Sequence, residues 1–405
     1  MDIILSHTVG LLAIAILTAI IARRIHLPYT VGLVVAGIGI TVARIDTGFV
    51  LTHDIIFDAI LPSLLFEAAF NIHWAEMRRD ALPVLTLAIL GVVISALVVA
   101  AGIASVLAWP FSSALVFGVL IAATDPIAVI AMFKDTGLKG RLRLLVESES
   151  LLNDGVAAVL FALILGWAQA TGEAATPLQV ATSLIFATGG GILTGLACGG
   201  AAIVAAGRTS DHLVETALTV VAAYGSFLLA DHFDLSGVLA TVSAGFLMGN
   251  LGVLREAEQG PLSSRGRDFV MAFWEFAAFI ANSLIFLLIG LTVAGITIDG
   301  LGLPSILIIV MLVLVGRALT VYPLCLLFRR TRWAIPNRDQ HILWWGGLRG
   351  ALALGLALAL PPSLAFRNEI VIAAFGVVAF SILVEGLTMP LLLRILGFLP
   401  KHARQ

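Results

Sequence analysis

Residues 340–360 read QHILWWGGLRGALALGLALAL, an apolar run interrupted near its middle by Gly346, Gly347, Arg349 and Gly350. It is long enough to span a bilayer, which takes roughly 20 residues of helix. Glycine in a helix interior costs about 1 kcal/mol relative to alanine. With four glycines within ten residues and a charge among them, the run reads as a helix that unwinds and restarts. The run at 112–133 has the same character, because Thr124-Asp125-Pro126 falls near its centre. Pro126 removes a backbone donor and disfavours helical geometry in the residue before it. Paired broken helices are the pattern of transport proteins built from inverted repeats.

The rest of the chain agrees with a membrane setting. Apolar residues make up 60% of the 405 and charged residues only 12%, against roughly 45–50% and 25% in soluble chains. Too little polar surface would remain to face water, so the chain reads as a membrane protein whose partner is the lipid bilayer; no enzyme, no cofactor and no nucleic-acid partner is expected of it. The net charge of −2 says little. Cys198 and Cys325 stand in separate apolar runs and read as buried small residues, not as a disulfide or metal site. The N-terminal run lacks a basic leader and reads as a retained first helix.

Apolar stretches occur at 2–22, 28–43, 54–72, 81–109, 112–133, 146–168, 178–207, 213–230, 236–254, 268–294, 302–328, 340–360 and 367–397. The expected fold is an all-α polytopic membrane protein of thirteen helices, one membrane domain over 1–397, with a short cytoplasmic tail at 398–405. Eighteen of the 23 Lys and Arg fall in loops after odd-numbered helices. Such asymmetry places the N-terminus outside and the C-terminus in the cytoplasm. The interrupted helices are the fifth and the twelfth. Their odd offset gives them opposite orientations, so helices 1–6 are expected to repeat as 8–13 with helix 7 as connector.

A charge at the bilayer centre costs about 2.5–3.5 kcal/mol on insertion scales, so it needs a partner, water or a function. Glu67, Asp125, Asp154, Arg317 and Arg349 all fall near span centres, and Glu149 nearer the cytoplasmic end. Ser150 and Asp154 are i,i+4 neighbours in ESESLLNDG (147–155), as are Glu149 and Asn153. Hydroxyl and carboxylate are hard oxygen ligands suited to a small alkali cation. One carboxylate in an apolar setting can hold a cation or a proton but not both, and that competition alone couples two fluxes. Unwound backbone at Ala123 and Thr124 offers carbonyls, with the Thr124 hydroxyl beside them. Asp125 is placed to neutralise positive half-helix ends, and Arg349 negative ones or an acid. Both read equally as ligand or scaffold. Glu149 with Arg317 reads as a structural ion pair, and Glu67 as an ion ligand or a hydrogen-bond acceptor for Asn153. Asp58, Glu215 and Glu275 lie near span ends, and the His residues show no ligand spacing. The run GGGILTGLACGG (189–200) reads as tight helix packing.

Five ordered motifs carry a resemblance. LPSLLFEAAFNI (61–72), ATDPIAV (123–129), ESESLLNDG, GRALTVYP (316–323) and GGLRGALAL (346–354) resemble the electroneutral branch of the cation:proton antiporters. That branch comprises the NhaP-type bacterial antiporters and the animal sodium/hydrogen exchangers. The resemblance implies a homodimer in which a core domain moves as an elevator against a dimerisation domain. It implies that Asp154 binds ion and proton, with Ser150, Thr124 and Glu67 in or near the ligand shell. Asn153-Asp154 matches the family's Asn-Asp pair, which implies one cation per proton. Glu149 and Arg317 match its buried ion pair, and Arg349 its second intramembrane arginine. Two departures are the missing long cytoplasmic tail and Glu385, in VEGLTMP (384–390), where relatives usually carry an uncharged residue. The expected activity is exchange of sodium, with lithium accepted, for protons across the plasma membrane. Potassium/proton exchange is the nearest alternative. A channel would need a continuous pore, and a sodium-coupled solute carrier an additional polar pocket.

Overall fold

The computed structural model describes residues 2–24, 27–44, 51–138, 140–169, 177–253, 261–295 and 301–398. The expected tail lies, beyond Phe398, outside the described residues. Every regular element among the described residues is helical. In chain order these are α1 (Asp2–Arg24), α2 (Tyr29–Val42), α3 (Leu61–Phe70, entered through a π-helical segment Ile55–Ile60), α4 (Trp74–Val106), α5 (Phe111–Leu120) and α6 (Ile127–Thr136). Then come α7 (Arg141–Gln169), α8 (Pro177–Ala206), α9 (His212–His232), α10 (Gly237–Met248, continued by a π segment Gly249–Val253) and α11 (Ser264–Gly295). The remainder is α12 (Leu303–Leu327), α13 (Asn337–Trp345), α14 (Ala351–Leu358), α15 (Arg367–Phe380), a π segment Ser381–Glu385, and α16 (Gly386–Ile395).

Among the described residues, seven helices are long and apolar enough to cross a membrane, and α2, α5 and others are shorter apolar helices. Large apolar side chains such as Leu90, Leu97, Ile185, Phe186 and Leu193 are exposed along these helices. Such surfaces suit lipid, where every backbone polar group must be satisfied inside the protein, as helices do. The chain is a multi-pass membrane protein. Several helices start earlier than hydropathy alone places them, because basic residues end an apolar run without ending a helix. Thus α7 begins at Arg141 and not at 146, and α11 at Ser264 and not at 268. Trp74 opens α4, but Asp80 is non-helical (φ −113°, ψ 16°), so the long apolar part follows a bend.

Two compact units are present: residues 1–53, 82–153 and 283–405 form one, and 54–81 with 154–282 the other. In the second unit α10 packs between α8, α9 and α3. Lipid tails are as apolar as leucine, so helices associate in a membrane through close packing of small residues. Gly191, Gly195 and Gly199 recur at every fourth position of α8, against Ser236, Ala240 and Ala244 near or on α10. A Cβ on Gly195 would collide with the Ala240 carbonyl, and one on Gly249 with the Phe70 carbonyl. Phe66 packs against Trp274 with ring centroids 4.5 Å apart and ring planes tilted by 36°, and the Trp274 indole donates to the Thr219 hydroxyl at 2.8 Å. Gly195→Leu is expected to destabilise this packing by about 1–3 kcal/mol, as overpacking does. The check is a lowered thermal midpoint in size-exclusion chromatography of the detergent-solubilised protein; an unchanged midpoint would contradict the packing argument.

In the first unit the interrupted helices lie beside a core formed by α4, α6, α7, α12, α13 and α16. Leu87, Phe133, Leu145, Val321, Ile342 and Met389 meet there and are all buried. The interruptions fall where Pro126 and the glycines stand: 121–126 between α5 and α6, and 346–350 between α13 and α14.

Candidate functional site

Breaking a helix strands backbone groups: N–H groups at the new N-terminus and carbonyls at the new C-terminus. The ends of α5 and α13 and the starts of α6 and α14, in a buried setting, therefore present four partly charged termini. The structure meets all four with three side chains. Asp125 Oδ1 accepts from the Ile127 N–H, the first residue of α6, at 2.9 Å. The same carboxylate is hydrogen-bonded by the Ala351 N–H, the first residue of α14. One anion thus faces two helix N-termini, each worth roughly half a positive charge. Arg349 Nη1 donates to the carbonyls of Ala122 at 2.8 Å and Ala123 at 3.0 Å, just past the end of α5. Arg317 Nη2 donates to the Leu343 carbonyl in the last turn of α13, at 2.9 Å. The two unwound segments are also joined directly, by the Asp125 N–H and the Leu348 carbonyl at 2.7 Å. Gly350 is required by this closeness, since a Cβ there would overlap the Asp125 carboxylate.

One acid against two arginines leaves an excess positive charge, and Glu149 on α7 removes it. Its two carboxylate oxygens each accept from Arg317, both at 2.7 Å. Glu149 is 2% exposed and Arg317 6%, so the pair is shut away from water. Such bidentate, charge-assisted contacts are short and fix geometry. The network of Asp125, Glu149, Arg317 and Arg349 is formally neutral.

Polar side chains on α7 then tie that scaffold to the first break. The Asn153 amide accepts from the Thr124 N–H at 3.2 Å and donates to the Thr124 hydroxyl at 2.6 Å. It also donates to Glu149 Oε1 at 3.3 Å. The Ser150 and Thr124 hydroxyls are bonded to each other at 2.9 Å. Thr124, Ser150 and Asn153 are all buried. An aspartate at 153 would lose the donor and set a second anion against Glu149. The structure so brings together Thr124, Asp125, Glu149, Ser150, Asn153, Arg317 and Arg349 in the first unit. Asp154, next on α7 after Asn153, and Glu67 belong to the second unit, and both are half-buried. A Glu67 oxygen accepts from the Asn71 amide at 2.8 Å.

The comparison with known families turns on the whole helical region. Residues 11–395 match the family described as sodium/hydrogen exchanger, transmembrane. The chain belongs to the sodium/hydrogen exchanger family. The resemblance carried by its five motifs is thereby shown. This exchanger-family chain is 38% identical to the sodium/proton antiporter ApNhaP of Aphanothece halophytica, over all of its own length and 75% of that protein. It is 34% identical to the antiporter NhaH of Halobacillus dabanensis, over 96% of itself and 97% of NhaH. Its fold is similar to that of the sodium proton antiporter MjNhaP1 from Methanocaldococcus jannaschii, with a TM-score of 0.75 over 97% of this chain and all of that one, at 20% identity. The family is one of transporters.

Three features of this exchanger-family chain escape a reading of spans and motifs. Arg317 serves a helix end as well as Glu149. Arg349 occupies the Ala123 carbonyl that the sequence offers to an ion, although a carbonyl keeps a second lone pair. Ser381 takes the Arg349 N–H at 2.8 Å; only its place four residues before Glu385 could have marked it.

Proposed function

We propose that this chain is a secondary antiporter exchanging sodium, and also lithium, for protons, one for one. The observation that carries the reading is the neutral, fully hydrogen-bonded scaffold around the two breaks. Because it compensates its own charges, the charge of a transported cation has to be met by a further acid. Asp154 is that acid: it directly follows Asn153, which is pinned to Thr124 and Glu149. The oxygen ligands nominated beside it are Ser150, Thr124 and Glu67, with Asp125 and Arg349 organising the half-helix ends. The neutral residue at 153 leaves one titrating carboxylate for one cation, hence no net charge moved. Relatives named as sodium/proton antiporters, matching over nearly the whole chain, support the ion pair chosen.

The architecture that goes with this reading has thirteen crossings, counting α5 with α6, α13 with α14 and α15 with α16 as single interrupted passes. The broken pair crosses at mid-membrane, and the two repeats are inverted. The chain works as a homodimer in the plasma membrane, with its N-terminus outside and its C-terminus in the cytoplasm. Alternating access comes from an elevator movement, and no resident cofactor takes part. Potassium in place of sodium is the second reading, since all the ligands are oxygen and cavity size decides between the two ions.

Proteoliposomes with an internal pH dye test both. Sodium and lithium are expected to drive proton flux well above potassium and above a no-cation control. Clamping the voltage with valinomycin is expected to leave the rate unchanged. A potassium response equal to sodium's would favour the second reading, and a strong voltage dependence would contradict one-for-one exchange.

A further inference from the structure

Glu385 closes the π segment between α15 and α16 and is 4% exposed. Nothing in the exchange scheme above uses it. It lines a cavity together with Arg317, Arg349, Val313, Trp344 and Ser381. π turns inside helices mark functional sites more often than chance, because they re-aim one or two side chains. Here the turn presents Glu385 to the rear of the charged scaffold. Its side chain is hydrogen-bonded to Ser381, whose hydroxyl also takes the Arg349 N–H at 2.8 Å. A hydroxyl that accepts from one side directs its own proton to the other, so Ser381 links Glu385 to the unwound segment.

The charged groups facing Glu385 are Arg317 from α12 and Arg349 from the break at 346–350. α15 contributes Val377, Phe380 and no titratable group to this cavity, and α13 contributes Trp344. On the other side α2 presents Val31 next to Gly386. Both arginines already hold partners: Glu149 and the Leu343 carbonyl for Arg317, the Ala122 and Ala123 carbonyls for Arg349. A protonated Glu385 keeps the scaffold neutral. An ionised one makes it three acids against two arginines.

We propose that Glu385 is a positioning residue whose protonation state sets how tightly Arg349 holds the Ala122 and Ala123 carbonyls, and thereby the cation affinity of the exchange site. When ionised, it competes for the guanidinium and frees carbonyl dipoles of the first break to face a cation. When protonated, it leaves Arg349 on those carbonyls. Cation affinity then rises with pH for a second reason, beyond simple proton competition at Asp154. The inference rests on the reading of the breaks as part of the cation site.

The test is the apparent KM for sodium across a pH series in proteoliposomes, for the unsubstituted protein, Glu385→Gln and Glu385→Asp. In Glu385→Gln the KM at the alkaline end is expected to rise about threefold or more, a modest loss for a charge acting through an intermediate group. At the acid end its curve should meet that of the unsubstituted protein, and Glu385→Asp should restore most of the pH dependence. Superimposed curves, or a parallel shift at every pH, would overturn the proposal, since a purely structural residue acts alike at all pH values. If Glu385→Gln does not insert, Glu385→Met carries the same comparison, because it is uncharged and of similar volume and so removes the competition for the guanidinium. Exchange surviving in Asp154→Asn would instead strike at the function proposed above. Superimposed Glu385 curves alongside a silent Asp154→Asn would strike only at this inference.

Discussion

Asp154→Asn is expected to reduce cation-dependent proton flux in proteoliposomes to that of empty vesicles. The amide matches the carboxylate in size and can still hydrogen-bond, so folded yield should be close to normal. What it loses is charge and a titrating proton. Two unit charges 4 Å apart attract by about 4 kcal/mol at an effective dielectric of 20, about a thousandfold in affinity. The scaffold acids cannot supply that, since Asp125, Glu149, Arg317 and Arg349 already balance one another through the contacts described. Asp154→Glu keeps the charge on a longer arm and should retain partial exchange with a raised KM. Coupled exchange that persists in Asp154→Asn would remove this residue from the ion-carrying role.

Glu149→Gln should fail differently, in folding before transport. Arg317 would keep the neutral Leu343 carbonyl at 2.9 Å and at most one amide oxygen in place of the two carboxylate oxygens, leaving its full positive charge uncompensated in a buried setting. Breaking a buried pair from one side typically costs about 3–5 kcal/mol. The expected result is poor membrane yield and early unfolding of whatever protein is recovered. The Asn153 amide, which donates to Glu149 at 3.3 Å, would have to compete with Arg317 for the one remaining oxygen, loosening the tie to Thr124. The double variant Glu149→Gln with Arg317→Gln removes both charges and should recover much of the yield. Activity need not return with it, because the α13 carbonyl end then lacks its cation. Normal expression and full exchange by Glu149→Gln alone would show that the pair does not hold the scaffold together.

Much of this was legible along the chain. A helix interior tolerates neither Pro126 nor the glycines of 346–350, so the interruptions could be placed to within a residue or two. The apolar runs placed helices, since the described residues of the long uninterrupted ones are helical along nearly all their length and seven helices are long and apolar enough to cross a membrane. Boundaries were less legible where a basic turn begins a helix, as at Arg141, because charge halts hydropathy but not backbone hydrogen bonding. Other features had no one-dimensional trace. Residues 125 and 351 lie far apart in sequence, and nothing local says that one carboxylate serves both helix ends. Arg317 has an evident acid to pair with, which hides its second role at Leu343. Ser381 looks like any hydroxyl in an apolar helix.

The sequence by itself determined that this protein lives in a membrane, which helices break and which few charges must be accommodated inside it. Those are consequences of composition, of glycine and proline stereochemistry, and of the cost of charge in hydrocarbon, all properties of single residues or short runs. Only the tertiary structure decided who neutralises whom. Four stranded helix ends, two arginines and two acids permit several pairings. Which one forms depends on distances of about 3 Å set by packing, and no count of charges contains those.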